Sequence, residues 1–444
     1  MKNSYKIILS RFLSNYGMLG ILIILGILFS ILTLRDQYPS GEDAARSLSK
    51  VLSTYSHDSS ILIISRDTGD DSLFATSLDK RLTDQGFNSI KIISGDPLTV
   101  RKQISALPDS EKVSLIATSY AAAPMAFSIK NEMPGFANTI ITPPPPYRWP
   151  TFLLPDNLRN VANQIAVIAI MAIGMTLVII TAGIDLSVGS LIALSAVVTA
   201  WFVGQVGGES ATFWGMVLSG LIGIVLCGVI GAFSGLMITR FRIPPFIATL
   251  AMMQVAAGFA YVISEGKPIY HLPESFILLG RGAEPFLKIP YAVILMIILY
   301  IAAHILMTRT TIGRYVYAVG GNMEAARLAG IRVKRILFFV YMLCGILAGL
   351  GGVVMASQLK SGAPTYGLTY ELYVIAAVVV GGTSLSGGEG RIFGTLIGAF
   401  IIAVIQNGMN LTNVETYTQK IVLGLVILGA VLLDRLKQMG MGKK

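Results

Sequence analysis

The sequence predicts an all-α polytopic membrane protein with about ten transmembrane helices and one small inserted α/β domain. Three observations predict this fold class. Of the 444 residues, 54% are hydrophobic and 13% are charged, whereas about a quarter of a soluble domain is charged. Apolar runs of about 20 residues, the length that crosses a ~30 Å hydrocarbon core, recur along the chain. Residues 36–150 interrupt this pattern with a polar stretch of mixed character.

The chain begins with a predicted anchor helix. The apolar run Tyr16–Leu34 has 19 residues, which as a helix would be about 29 Å long. Lys2, Lys6 and Arg11 precede the run, and no small-residue cleavage site follows it. We therefore expect residues 1–35 to form an uncleaved transmembrane anchor with its N-terminus in the cytoplasm.

Residues 36–150 are predicted to fold as an extracytoplasmic α/β domain that ends in a Pro-rich spacer. Short apolar runs, typical of buried strands, alternate with amphipathic stretches. One helix should start at Asp96-Pro97, because Asp caps helices and Pro suits the first helical position. Four consecutive prolines, Pro143–Pro146, should form a stiff extended segment. The predicted strands are Ile61–Ile64, Ile90–Ile93, Val113–Ala117 and Thr139–Ile141.

Residues 151–444 are predicted to form the remaining transmembrane domain. The run at 370–381 is short for a span, so we expect a broken or re-entrant segment there. The predicted spans are 161–182, 187–205, 213–239, 244–264, 291–307, 336–357, 370–381, 392–410 and 420–433.

The distribution of basic residues predicts the orientation. With the N-terminus inside, the inside loops and termini hold 16 Lys and Arg residues and the outside loops hold 6, leaving out 36–150 and Arg35. This asymmetry follows the positive-inside rule and predicts that both termini are cytoplasmic. Because the net charge of +10 lies in short loops between apolar runs, we do not expect nucleic-acid binding.

The first motif that indicates function is Gly183–Ser190, which reads GIDLSVGS between two apolar runs. An Asp at membrane depth is costly. Asp185 either caps the following helix or lines and gates a pathway, and broken helix ends in transporters do both. Polar residues within spans mark pathways, and the translocation or gating candidates are Asp185, Ser187, Ser190, Asn163, Gln164, Gln254 and Asn407.

The second motif lies in the inside loop that runs from Thr308 to Arg335. Asn322 is predicted to cap a short helix and Gly330 to end it. Glu324 in the first turn suits the helix dipole. The small side chains Ala325, Ala326 and Ala329 would let a partner surface approach, and a bulky residue at Ala326 would clash with it. The alternative is an interfacial loop helix held by its basic residues.

With a third segment, these motifs resemble the permeases of ABC importers for ribose, xylose and galactose. The matching segments are Gly183–Ser190, Ala318–Ile331 and Gly381–Gly390, and the resemblance covers about 151–444 plus the anchor. It implies a pore of two permease copies or relatives in the lipid bilayer, two ATPase subunits and an extracytoplasmic sugar-binding protein. It also implies that the inside loop docks on the ATPase through Gly320, Asn322, Glu324, Ala325, Ala326, Arg327, Ala329 and Gly330.

Residues 36–150 depart from this family, in which the first two spans are usually joined by a short loop. The insert loosely resembles half of a periplasmic sugar-binding protein. Its predicted roles are docking, substitution for part of the binding protein, or simple tethering.

The chain lacks the sequence patterns of an enzyme. It has no Gly-x4-Gly-Lys-Ser/Thr loop that would cradle ATP phosphates. His57, His271 and His304 lack metal-ligand spacing, and no Gly-x-Ser-x-Gly motif has a strand-turn-helix context. We expect a non-catalytic subunit of a bacterial inner membrane, with no cofactor or metal of its own, whose ATP is bound by a partner.

The sequence thus predicts a permease that imports a monosaccharide, driven by a separate ATPase. A permease for branched-chain amino acids or nucleosides is the nearer alternative. A membrane-anchored sensor that uses the insert as its receptor is the alternative from another functional class.

Overall fold

The computed structural model describes residues 2–107 and 113–441, with side chains described for 17–107 and 113–432. Leu34–Thr151 form one compact unit, and the residues on either side of that segment form the other. Seven of the 16 basic residues counted as cytoplasmic are near the termini, outside the part with described side chains. They are Lys2, Lys6, Arg11, Arg435, Lys437, Lys443 and Lys444.

Seventeen α-helices are found in the described residues. Helices α2 to α5 belong to the unit 34–151, and the others to the flanking unit. In chain order they are α1 Lys2–Leu32, α2 Gly41–Leu52, α3 Gly69–Asp84, α4 Pro97–Ser105, α5 Ala123–Glu132, α6 Pro155–Ile180, α7 Val188–Gln205, α8 Phe213–Phe241, α9 Pro245–Ile263, α10 Leu278–Arg281, α11 Tyr291–Arg309, α12 Thr311–Gly321, α13 Met323–Leu328, α14 Val333–Leu359, α15 Tyr370–Val380, α16 Ile392–Leu411 and α17 Thr416–Met441.

The flanking unit is a polytopic helical bundle. In the part of the chain that the structure describes, seven helices are long and apolar enough to cross a membrane: α6, α7, α8, α9, α11, α14 and α16. Three further apolar helical stretches are shorter: Gly17–Leu32, Tyr370–Val380 and Thr416–Leu432. Each of the ten predicted spans overlaps one of these helices, and seven of them meet the length expected for a full crossing.

Helix α14 lies at the centre of the bundle, where it packs on α6, α7 and α8. Small residues bring α14 and α8 close together. A Cβ on Gly345 would overlap the Cys227 carbonyl of α8, and one on Gly349 would lie 2.9 Å from the Cys227 Cβ. Helices that touch at this distance gain van der Waals contact that larger side chains would prevent, as is typical of membrane bundles.

Helix α15 is interrupted where the sequence predicts a broken segment. It has 11 residues, about 16 Å of helix, which is too short for a ~30 Å core. The residues before it, 360–369, are not helical. They run along α7, with Gly362 against Ala196 and Gly367 against Gly189. Such irregular backbone at membrane depth is tolerated where protein surrounds it.

The unit 34–151 contains a four-stranded parallel sheet in the order β3-β2-β4-β5 and a two-stranded sheet of β1 and β6. Strand β2 is buried along its whole length, as its run of Ile and Leu predicts. Helix α3 buries Phe74, Leu78 and Leu82 and leaves Leu73 exposed. The strands are β1 Leu34–Gln37, β2 Ile61–Ser65, β3 Ile90–Ser94, β4 Leu115–Thr118, β5 Ile140–Thr142 and β6 Tyr147–Pro150.

Helix α4 starts as its sequence predicts. Pro97 is its first residue, and the Asp96 carboxylate accepts a hydrogen bond from the Thr99 N–H at 2.7 Å. This bonding to Thr99 lowers the pKa of the Asp96 carboxyl, because it stabilises the ionised form.

The two ends of this unit are joined by a pair of strands that the sequence reasoning did not predict. Strands β1 and β6 pair antiparallel, with Leu34 opposite Pro150 and Gln37 opposite Tyr147. Pro143–Pro146 have no regular structure and lead into β6. The chain therefore enters and leaves the unit through one narrow ribbon.

Candidate functional site

The second and third sequence motifs meet at one end of the helical bundle, beside the residues that directly precede the first motif, and we call this place the motif end. It consists of the end of α6, helix α12 and the loop 383–391 between α15 and α16. The Gly388 N–H donates to the Ile180 carbonyl at 2.8 Å. The Tyr317 hydroxyl donates to the Gly390 carbonyl at 2.8 Å. Segments about 200 residues apart in sequence are thus joined by a backbone–backbone hydrogen bond, and segments about 70 residues apart by a side chain–backbone one.

Glycine allows α12 to come this close to the end of α6. A Cβ on Gly320 would overlap the Ile180 carbonyl and would lie 2.7 Å from the Gly388 nitrogen. The next residue, Gly321, has open space where a Cβ would be. Gly320 is therefore required by close approach of three backbones, whereas Gly321 is not.

The short helix α13 follows α12 directly and has a cap at each end, as predicted. The Asn322 Oδ1 accepts a hydrogen bond from the Ala325 N–H at 2.9 Å. Gly330 follows the helix with a φ of +83°, a conformation that favours glycine and ends helices. Glu324 and Arg327 form an exposed ion pair at 2.6 Å. Helix α13 is thus a short helix that is capped at both ends.

The outward face of α13 differs from the predicted one. Ala326 is 5% exposed and packs into the bundle core, so the prediction that it faces a partner is wrong. Ala325 and Ala329 are exposed as expected. The largest exposed apolar groups are Leu328, 84% exposed, and Met323, 44% exposed. Period 3.6 places Ala326 on the opposite side of the helix from Leu328.

Asp185 lies in the turn between α6 and α7, wholly buried. Its Oδ1 accepts hydrogen bonds from the Ser187 N–H at 2.9 Å and the Ser187 hydroxyl at 2.6 Å. Tyr341 and Cys344 of α14 lie beside the carboxylate. Its Oδ2 has no hydrogen-bond partner within the described ranges. Asp185 thus accepts its hydrogen bonds from Ser187, the residue that directly precedes α7. The predicted cap would instead have bonded to N–H groups in the first turn of α7.

Ser187 occupies the N-cap position of α7 without a side-chain cap bond, and Ser190 is half-buried in its first turn. Gly189 lies between these two serines in the sequence, and a Cβ added to it would overlap the carboxylate of Glu371. Glu371 is in the first turn of α15 and was missed by the sequence reasoning. The signal was an acidic residue at the start of the apolar run Tyr370–Val380.

Two of the predicted pathway residues, Asn407 and Asn163, form side-chain hydrogen bonds with other residues of the bundle. Asn407 and Asn157 exchange hydrogen bonds at 2.9 and 3.0 Å. The Asn163 amide donates to the Gly280 carbonyl at 2.8 Å. Gln254 is exposed on α9. Asn163, in the first half of α6, and Asn407, in the second half of α16, lie away from the motif end.

Gln164 lines a cavity of about 240 Å³ between α6, α15, α16 and α17. The cavity lies in the first half of α6 and the second half of α16, hence away from the motif end. The other polar lining residues are new, because sequence spacing does not reveal that they converge. They are Tyr370, Tyr373, Gln406, Asn410 and Gln419. In the described ranges, no group of three metal-ligating side chains is found.

Comparisons with known proteins identify relatives of the helical unit. The family described as branched-chain amino acid transport system / permease component matches residues 157–431. The ribose import permease protein RbsC of Bacillus subtilis is 46% identical over 290 residues, which are 65% of this chain and 87% of that protein. RbsC of Escherichia coli K12 is 47% identical over 292 residues, 65% of this chain and 88% of that protein.

The D-allose transport system permease protein AlsC of Escherichia coli K12 is 38% identical over 285 residues, 64% of this chain and 85% of that protein. No solved structure matches the chain. The family match begins after the unit 34–151. On the family match and these identities, the chain belongs to the branched-chain amino acid transport system / permease component family, as a non-catalytic permease subunit of an ABC transporter.

Proposed function

We propose that this chain is the membrane-spanning permease of an ATP-driven monosaccharide importer, and that α13 couples it to a separate ATPase subunit. The observation that carries the proposal is the meeting of the second and third motifs, at the motif end, with the residues that directly precede the first motif. Helix α12 contacts the C-terminal end of α6 and the loop before α16. It is followed, after Asn322, by α13.

Coupling requires a rigid element that a partner can push and a firm connection from it to the spans. The caps at Asn322 and Gly330 make α13 such an element. Its exposed Met323 and Leu328 offer apolar surface to a partner, since an isolated exposed Leu gains free energy when it is buried. Displacement of α13 would then move α12 and, through Gly320, the end of α6.

The orientation follows from the charge count, with 16 basic residues on the proposed cytoplasmic side and 6 outside. The motif end is then cytoplasmic, and both termini are inside. The unit 34–151 is extracytoplasmic. Protease added to the extracytoplasmic face should cleave that unit first, whereas cleavage only from the cytoplasmic face would overturn this orientation.

A monosaccharide is the proposed substrate because the relatives that match are named as permeases for ribose and allose. Further proposed partners are a second permease copy or a relative, an extracytoplasmic sugar-binding protein and the lipid bilayer. The family description favours branched-chain amino acids as a second candidate.

Uptake into cells that lack their own importers separates the two candidates. The chain is expressed with the ATPase and the binding protein of its own importer, and uptake of labelled D-ribose, D-allose and L-leucine is measured. We expect ATP-dependent uptake of a sugar and none of leucine. Uptake of leucine alone would overturn the sugar assignment and leave the permease assignment in place.

A further inference from the structure

Six polar side chains converge on the cavity between α6, α15, α16 and α17: Gln164, Tyr370, Tyr373, Gln406, Asn410 and Gln419. The other lining residues are aliphatic, and the lining contains no charged side chain. At about 240 Å³, the cavity is smaller than the roughly 300–1,000 Å³ of pockets for drug-sized ligands. A cavity of this size and with this lining therefore suits a small neutral molecule.

Packing of the bundle does not account for these amides. Polar side chains in spans are costly unless they find partners, and the nearby Asn157 and Asn407 satisfy each other. By contrast, the side chains of Gln164, which is exposed, and of Gln406, which is half-buried, make no hydrogen bond with any described residue. Gln419 donates to the Asn410 side chain and the Val414 carbonyl, both at 2.8 Å, which leaves the Asn410 amide NH₂ available.

The chemistry of the lining selects the ligand. Each amide offers both donors and an acceptor, and each Tyr adds a hydroxyl, so the cavity can pair with several hydroxyl groups. The Tyr370 and Tyr373 rings, with centroids 6.0 Å apart, supply apolar surface for C–H groups. A zwitterionic amino acid would lose the hydration of two charges here without a charged partner, at high cost.

We propose that this cavity is a monosaccharide subsite within each permease chain. This inference rests on the proposed function and adds the place where the sugar is held. Tyr370 is the first residue of α15, so the cavity adjoins a broken helix, where transporters bind substrates. In the proposed orientation it lies in the extracytoplasmic half of the bundle, on the side from which the sugar arrives.

The test measures labelled D-ribose moved per ATP hydrolysed, in vesicles that hold the whole importer. Gln164→Leu removes one amide from an exposed position, and Tyr373→Phe removes only a hydroxyl, so one variant can stand in if the other misassembles. Loss of one hydrogen bond to the sugar should lower this ratio about tenfold, while ATP hydrolysis persists. Gln205→Leu, at the exposed end of α7 and outside the cavity, is the matched control and should leave the ratio unchanged.

The outcomes separate the two levels of the proposal. A wild-type importer that moves no monosaccharide overturns the proposed function itself. A wild-type importer that moves ribose, with Gln164→Leu and Tyr373→Phe giving the same ratio, overturns the subsite and leaves the proposed function standing. A lowered ratio in the cavity variants alone supports the subsite.

Discussion

Gly320 lies where α12, the end of α6 and the loop before α16 come together. An added Cβ would overlap the Ile180 carbonyl, and the backbones on both sides are held by hydrogen bonds. We predict that Gly320→Ala separates these segments, at a cost of about 1–3 kcal/mol typical of overpacking, and stops ATP-driven uptake.

Gly321→Ala is the matched control for that change. Both glycines are in α12, but a Cβ on Gly321 meets open space, and Ala favours helix over Gly. Thermal unfolding and uptake should therefore remain at wild-type values in Gly321→Ala. Equal behaviour of the two variants would show that the close approach at Gly320 is not required.

Asp185 gives a second prediction at this scale. Asp185→Ala leaves the buried N–H and hydroxyl of Ser187 without their acceptor, which should cost about 1–3 kcal/mol of folding free energy. Asp185→Asn keeps an acceptor oxygen at the same place, so we expect its stability and uptake to stay near wild type. Thermal unfolding and ribose uptake of both variants are measured against Asp156→Ala, which changes an exposed residue that pairs with Arg159. Loss of uptake in a stable Asp185→Asn variant would instead support gating by its charge.

The sequence predicted the role of a side chain well where that role depends on residues close to it in the chain. The cap at Asn322, the end at Gly330 and the cap at Asp96 each depend on three or four neighbouring residues. It failed for Ala326, since which face of α13 meets the bundle is decided by distant packing. It also missed Glu371, because the contact with Gly189 joins segments 182 residues apart.

The exposed face of α13 carries the prediction at the scale of an element. Leu328 is 84% exposed at the end of a capped helix, so it is available to a partner. We predict that Leu328→Glu weakens binding of the ATPase subunit at least about tenfold, because burial of a Leu side chain is worth about 1.5–3 kcal/mol. Co-purification of the ATPase with the permease measures this effect.

Two further variants give this experiment its contrast. Leu98→Glu changes a residue of similar exposure, 77%, in the unit 34–151 and should leave ATPase recovery unchanged. Ala326→Phe should destabilise the permease itself, because that side chain is buried. ATPase recovery from Leu328→Glu equal to that from Leu98→Glu would place the coupling surface elsewhere.

Helices were the elements that the sequence predicted best. Long apolar runs have one stable solution in a membrane, since every backbone polar group must be bonded within the segment. The boundaries of α7, α9 and α16 lie within one residue of those predicted. The ribbon of β1 and β6 was missed because each strand has four residues, and its pairing joins positions more than 100 residues apart.

At the scale of the whole chain, the unit 34–151 and the helical bundle each contain their own core. The hydrophobic clusters on the two faces of the parallel sheet draw only on residues between 44 and 141. The family match begins after this unit, at residue 157. We infer that the bundle folds and transports without the unit, which is a separate addition to a permease.

Removal of the unit tests this inference with little disturbance to the bundle. Gln37 and Tyr147 are paired across the antiparallel ribbon, so their Cα atoms are about 4.5–5.5 Å apart. An Asn-Gly turn in place of residues 38–146 can therefore close β1 and β6 as a two-residue hairpin. We predict that this variant inserts, remains monodisperse and imports D-ribose at no less than about half the wild-type rate, because the hydrophobic core clusters of the bundle draw on none of the removed residues. The measurements are size-exclusion chromatography and uptake at equal surface density. A monodisperse variant that no longer imports the sugar would show that the unit takes part in delivering substrate, and a variant that fails to assemble would show that the bundle requires it to fold.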